Sequence, residues 1–108
     1  MNEFRLSGVL IERAAMRFTP AGVPVLEAQI QHRCEVVEAG TVRTLEFVVS
    51  AVGLGSVAGD LQRQALGAEL DFTGFLAPRS RRSRRLVLHL TGCRQALVRG
   101  AGRPVTQG

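Results

Sequence analysis

GLGSVAGDLQRQALG, residues Gly53 to Gly67, is the stretch at which the chain changes period. Leu54, Val57, Ala58, Leu61 and Leu66 recur there at helical spacing, with Asp60, Gln62, Arg63 and Gln64 on the other side, the pattern of one short amphipathic helix. Gly55 and Gly59 fray it, and Gly67 falls where a glycine ends a helix. On either side the period is two. Leu26, Ala28 and Ile30 alternate with Glu27, Gln29, Gln31 and Arg33, while Leu45, Phe47, Val49 and Ala51 alternate with Thr44, Glu46, Val48 and Ser50. This predicts strands over 25–37 and 42–52, joined by a hairpin tip at Glu38-Ala39-Gly40-Thr41. Further upstream, Phe4 to Arg13 predicts a long strand bent at Ser7-Gly8, and Thr19-Pro20-Ala21-Gly22-Val23-Pro24 predicts a turn-rich loop. Downstream, Leu70, Phe72 and Leu76 predict a strand over 69–77, and Leu86, Leu88 and Leu90 open another that runs to about Val98. The Gly/Pro-rich residues 99–108 are expected to form a flexible tail.

Five strands with the helix between the third and the fourth is the element order of an OB-fold. That all-β, five-stranded Greek-key barrel takes ligands on its second and third strands and in the loops joining strands one to two and four to five. The length agrees: 108 residues, 45% hydrophobic and 21% charged, support a single core, placed over residues 1–98. No basic segment followed by an apolar run opens the chain, and no stretch approaches the ~20 apolar residues of a bilayer-spanning helix. Cys34 and Cys93 fall below the density of a disulfide scaffold. A cytoplasmic, reduced protein without membrane contact is expected.

Charge then narrows the function. Fourteen basic residues stand against nine acidic, giving +5 and a pI near 11.2. All of the basic residues are arginine. Such a balance asks for an anionic partner. Five arginines, Arg79, Arg81, Arg82, Arg84 and Arg85, fall in the loop between the fourth and fifth strands, and no Asp or Glu occurs from Arg79 to Arg99. Arg13 and Arg17 flank the first loop. Guanidiniums crowded without countercharge repel one another unless an anion sits among them. Backbone phosphates fit that need, with counterion release making the binding strongly salt-dependent; the bland alternative is a solvated surface loop.

Arg33 and Arg43 lie about the hairpin tip, Arg33 on the solvent side and Arg43 at the outer end of the Leu45 and Phe47 face. Either could instead be a rim residue paired with Glu27, Glu35 or Glu46. Single-strand binders commonly stack bases on aromatic rings. Phe18 in the first loop is the leading candidate and Phe4 the second, whereas Phe47, Phe72 and Phe75 are expected in the core.

Other chemistries find less support. His32, Cys34, His89 and Cys93 are zinc-ligand types, but parity puts the first pair on the face of Leu26 and Ile30 and the second pair opposite Leu88 and Leu90, so they do not converge as a tetrahedral site requires. Neither histidine has an evident carboxylate orienter for a Cys-His dyad, and the glycines match no phosphate-loop or dinucleotide pattern. The reading is a non-enzymatic protein without metal or cofactor.

Several short motifs fall in register. Leu6-Ser7-Gly8, Thr19-Pro20-Ala21-Gly22-Val23-Pro24, His32-Arg33-Cys34 with Glu38-Ala39-Gly40, Gly74-Phe75, and Val87-Leu88-His89 together cover the predicted barrel from 4 to 91. In these the chain resembles the primosomal replication protein N family, PriB, small relatives of single-stranded DNA-binding proteins. The resemblance implies an OB-fold homodimer that binds single-stranded DNA and joins PriA helicase and DnaT in restarting stalled forks. Arg17, Arg33 and Arg43 match basic positions of the family's DNA face, and Arg85 with the preceding arginines matches its basic loop. Two residues depart from the family: Glu46 stands where well-known members carry a tryptophan, and Cys34 replaces a serine. Val42, Val48 and Val87 hint at an apolar dimer surface. The alternatives are a protein-interaction adaptor with incidental nucleic-acid affinity and an RNA-binding OB module. An ordinary tetrameric single-strand binder is disfavoured because no long linker and acidic tip follow the barrel.

Overall fold

The structure is a computed structural model describing residues 1–96. Its elements are β1 (Phe4–Arg13), β2 (Arg17–Phe18), β3 (Pro24–Glu38), β4 (Thr41–Leu54), α1 (Ser56–Arg63), β5 (Glu69–Pro78) and β6 (Leu86–Gln95). The five long strands and the helix fall where the periodicity places them. β2 is an addition, two residues laid antiparallel on the start of β3, with Arg17 opposite Val25 and Phe18 opposite Pro24. The expected tail over 99–108, and the end of the last strand near Val98, lie outside the described residues.

The bend at Ser7-Gly8 closes the sheet. β1 pairs with β5 from Phe4 to Val9 and with β3 from Val9 to Arg13, so Val9 stands opposite Glu69 on one side and Gln31 on the other. A Cβ at Gly8 would lie 2.6 Å from Ile30 Cγ2 and 2.7 Å from the Gln31 carbonyl oxygen, which is why a glycine occupies the crossing. The sheet order β1-β5-β6-β4-β3-β2, with β1 also on β3, makes the five-stranded OB barrel. β4 and β6 run parallel, Ala51 to Gly53 against Leu88 to Leu90; the other pairs are antiparallel.

Alternate residues of the five long strands fill the interior. Leu10, Leu26, Ala28, Ile30, Ala51, Leu70, Phe72, Leu88 and Leu90 form the core, and Val57, Ala58 and Leu61 of α1 pack into it. Burying a Leu, Val or Phe side chain contributes about 1.5–3 kcal/mol each. The helix is shorter than the periodic stretch, ending at Arg63 with Gln64 as its cap. Gly67 is therefore not its terminal glycine: at φ 90° it turns the chain so that its own N–H reaches the Leu10 carbonyl and the Leu10 N–H reaches Ala68.

A bulge overturns one parity assignment. Thr73 pairs with Gly92 and Gly74 with Leu90, so Thr91 is the extra residue, and the face of β6 flips beyond it. Cys93, expected opposite Leu88 and Leu90, instead pairs with Phe72 and packs against the core. Burial, with Asp60 adding and Arg63 opposing, pushes its thiol pKa up.

Candidate nucleic-acid interface

Paired residues in a sheet share a face, so the register fixes what the outer surface presents. On β3 it presents Glu27 and Gln29; beside them on β4 stand Val52 and Ser50, and beside Val52 on β6 stands His89, with Val87 next along that face. These residues floor an open groove of about 370 Å³, walled by Arg17 of β2 and by Arg79 at the start of the β5–β6 loop. One arginine from each of the two basic loop regions thus borders the groove over β3 and β4.

Local chemistry holds each wall. In the first loop, the Gly22 N–H donates to the Thr19 carbonyl (2.8 Å), the Thr19 N–H to Val23 (2.9 Å), and the Val23 N–H to Thr19 Oγ1 (3.1 Å). Gly22 takes φ 85°, the left-handed region that glycine enters without steric cost. These bonds fold the chain back so that Arg17 and Phe18 pair with β3. The β5–β6 loop is closed at its neck by the Arg79 N–H on the Arg85 carbonyl (2.8 Å), with the Ser83 N–H on Ser80 and the Arg85 N–H on Ser83 Oγ.

One carboxylate joins the walls. Arg17 Nη2 lies 2.9 Å from Glu27 Oε2, and Arg79 Nη2 lies 3.7 Å from Glu27 Oε1. Among the described residues, Arg33, Arg81, Arg82, Arg84 and Arg85 take part in no ion pair, and all five are exposed. The tip of the basic loop is therefore uncompensated while its root is tied to Glu27.

Other expected site residues separate from this groove. Arg13 points elsewhere: its Nη1 donates to the carbonyl oxygens of Leu61 (3.0 Å) and Gln64 at the end of α1, where the negative end of the helix attracts a cation. Arg33 and Arg43 lie on opposite faces of the hairpin, since Arg33 pairs with Glu46 whereas Arg43, three positions away from Glu46 on β4, pairs with Val36. Arg43 forms an exposed ion pair with Glu38. Arg33 lines a neighbouring cleft with Gln31, Glu46 and Glu69, and Glu46 accepts a hydrogen bond from Gln31 Nε2 (3.3 Å).

The aromatics are distributed differently from expectation. Phe18 is 65% exposed, but on a strand it points away from its neighbour Arg17. Phe72 is buried as expected, whereas Phe47 and Phe75 are 43% and 39% exposed. Phe47 keeps the inward parity but lies beyond the end of the barrel, resting on His32 with ring centroids 5.1 Å apart. Phe75 has outward parity and stacks on the groove residue His89, centroids 5.2 Å apart and planes 18° from parallel. His32 Nδ1 donates to the Ser7 carbonyl (2.6 Å). Val87, expected on a dimer surface with Val42 and Val48, is buried in the groove floor, while the other two are exposed.

Sequence reasoning missed Glu27 as the shared partner of both walls and the Phe75–His89 pair. The signal for the pair was present, because Phe75 falls in phase with Thr73 and not with Phe72.

The chain is similar to known proteins over most of its length. The model of a family described as another single-strand binding protein family matches residues 2–92. The replication restart protein PriB of Bordetella pertussis is 46% identical over 95 residues, which span 88% of this chain and 89% of that protein. A structure of PriB from Ralstonia solanacearum superposes with a TM-score of 0.79 at 40% identity, covering 88% of this chain and 97% of the other. The single-stranded DNA binding protein from Thermus aquaticus shares the fold at a TM-score of 0.73 and 20% identity; the match covers 92% of this chain and 52% of that one.

Proposed function

The chain belongs to the PriB family of replication restart proteins, within the single-strand binding proteins, and from that premise we propose that it is a non-enzymatic, cytoplasmic, single-stranded DNA-binding accessory protein of replication restart. The observation that carries this reading is the groove on β3, β4 and β6 with an arginine from each binding loop on its walls. A phosphodiester backbone enters between Arg17 and Arg79, and Arg81, Arg82, Arg84 and Arg85 extend the cationic surface along it. Arg33 continues that surface on the same face of β3. Bases turned toward the floor meet the hydroxyl of Ser50, the amide of Gln29 and the His89 ring, which reads no sequence strongly and tolerates any base by stacking. Electrostatics supplies most of the affinity, so binding weakens steeply with salt. By family resemblance the protein pairs as a homodimer, with exposed Val42 and Val48 among the apolar surface available, and acts with PriA helicase, which it stimulates, and with DnaT.

A second reading has its own observation. Glu46 faces Arg33 in register on the outer surface of the hairpin, and a carboxylate there opposes a polyanion. In that reading protein contacts dominate and nucleic-acid affinity is secondary.

Fluorescence titrations of single-stranded DNA, duplex DNA and matched RNA, from about 50 to about 200 mM salt, with light scattering on the same sample, test the proposal. Tighter binding to single strands with a steep salt dependence and a dimeric mass are expected. Salt-independent binding, or equal affinity for duplex, overturns it. Tighter binding to RNA favours an RNA-binding module instead.

A further inference from the structure

Glu27 sits on the groove floor between the two arginines that wall it. Its two carboxylate oxygens face different arginines, Oε2 toward Arg17 at 2.9 Å and Oε1 toward Arg79 at 3.7 Å. The three side chains are partly exposed, with accessibilities of 37% for Glu27, 59% for Arg17 and 53% for Arg79. A phosphodiester has the same charge and two free oxygens to offer the same pair of guanidiniums. We infer that Glu27 is an internal phosphate mimic that competes with single-stranded DNA for Arg17 and Arg79 and so sets the affinity of the groove.

The inference rests on the single-strand-binding reading and adds a determinant to it. Arg17, Arg79 and Glu27 together carry one net positive charge, and without the carboxylate they carry two. A phosphate entering the groove must either displace Glu27 from the arginines or share them with it. Displacement is feasible because exposed ion pairs of this kind are worth little. While no DNA is bound, the same carboxylate lies between the two guanidiniums and offsets part of their mutual repulsion. Glu27 therefore lowers the charge of the free groove and weakens binding to it. Discrimination follows as well, because only a ligand that presents several phosphates in succession, to the loop tip as well as to the root, outcompetes a tethered carboxylate.

Glu27→Gln is the direct test, since it removes the charge and keeps the size. Single-stranded oligonucleotide binding by Glu27→Gln is expected to tighten about three- to tenfold at low salt. The log–log salt slope is expected to steepen by about 0.7, equivalent to one more phosphate neutralised. Arg17→Ala should then cost more in the Glu27→Gln background than in the wild type, because the carboxylate no longer occupies that arginine. A merely structural Glu27 predicts the opposite: weaker or unchanged binding, an unchanged slope and a lower melting temperature. Either of the first two results in a folded variant overturns the inference. If Glu27→Gln does not fold, Glu27→Asp, whose shorter side chain gives up at least one of the two arginines, must show the same gain in smaller measure or the inference falls. Wild-type protein that binds no oligonucleotide at low salt defeats the DNA-binding reading itself; a gain on substitution would still support the competition, and no gain would end both.

Discussion

Arg13 donates through Nη1 to the carbonyl oxygen of Leu61 at 3.0 Å, tying the end of β1 to the last turn of the helix. With Gln64 as a second acceptor, the guanidinium fastens the helix end to the barrel. Hydrogen bonds to a charged group are worth about 1.5–3 kcal/mol when buried, and Arg13 is partly exposed, so Arg13→Ala is expected to cost about 1–2 kcal/mol. Urea denaturation should show this loss, while the salt slope of oligonucleotide binding stays at the wild-type value.

The basic loop is expected to behave in the opposite way. Replacing Arg81, Arg82, Arg84 and Arg85 by alanine removes exposed side chains that touch no carboxylate among the described residues, so the melting temperature should hold. Single-strand affinity should fall on the order of 10- to 100-fold at low salt, and the salt slope should flatten by about 0.7 for each phosphate that is no longer neutralised. Anisotropy titrations at several salt concentrations measure both.

Ala39 sits at φ 52° beside Gly40 at φ 78° in the β3–β4 tip, the two left-handed positions of a tight hairpin turn. A non-glycine residue there carries a steric cost of roughly 1–2 kcal/mol, part of which glycine gives back in chain entropy. Ala39→Gly is expected to stabilise the protein by about 0.5–1 kcal/mol. A thermal melt should show a rise of a few degrees.

Gly74 approaches β6 so closely that a Cβ would stand 2.1 Å from the His89 carbonyl oxygen. That oxygen and the next nearest atoms, the His89 carbonyl carbon and Leu90 Cα, are all backbone, so the strands must part. Gly74→Ala is expected to destabilise by about 2–3 kcal/mol, the scale of overpacking a tight site. Because His89 floors the groove, oligonucleotide affinity should fall along with the urea midpoint.

Most of the barrel is legible in the sequence because burial imposes its period on the residues. Leu26, Ala28 and Ile30 can face only inward, and the change of period at Gly53 can only be the helix. What escapes is what period does not encode. Two residues of β2 are too few to alternate, and the bulge at Thr91 shifts parity without leaving a mark, so alternation alone puts Cys93 on the wrong side. Phe47 has the right phase yet lies past the end of the barrel, where inward no longer means buried. The arginines of both loops are identifiable by type and position. Type alone does not say what a guanidinium is bonded to, so Arg13 reads like a ligand residue and Glu27 like one more polar residue on an outer face.

The parallel pairing of Ala51–Gly53 with Leu88–Leu90 is a short seam between distant parts of the chain, whereas β3 and β4 pair along the length of their hairpin. Such a seam zips late and breathes early. Val52 and His89 pair within it and Ser50 and Val87 flank it, and all four are also residues on which a bound strand would rest. A bound strand would thus be stitched across the weakest suture of the barrel, and cargo would act as the latch that keeps it shut.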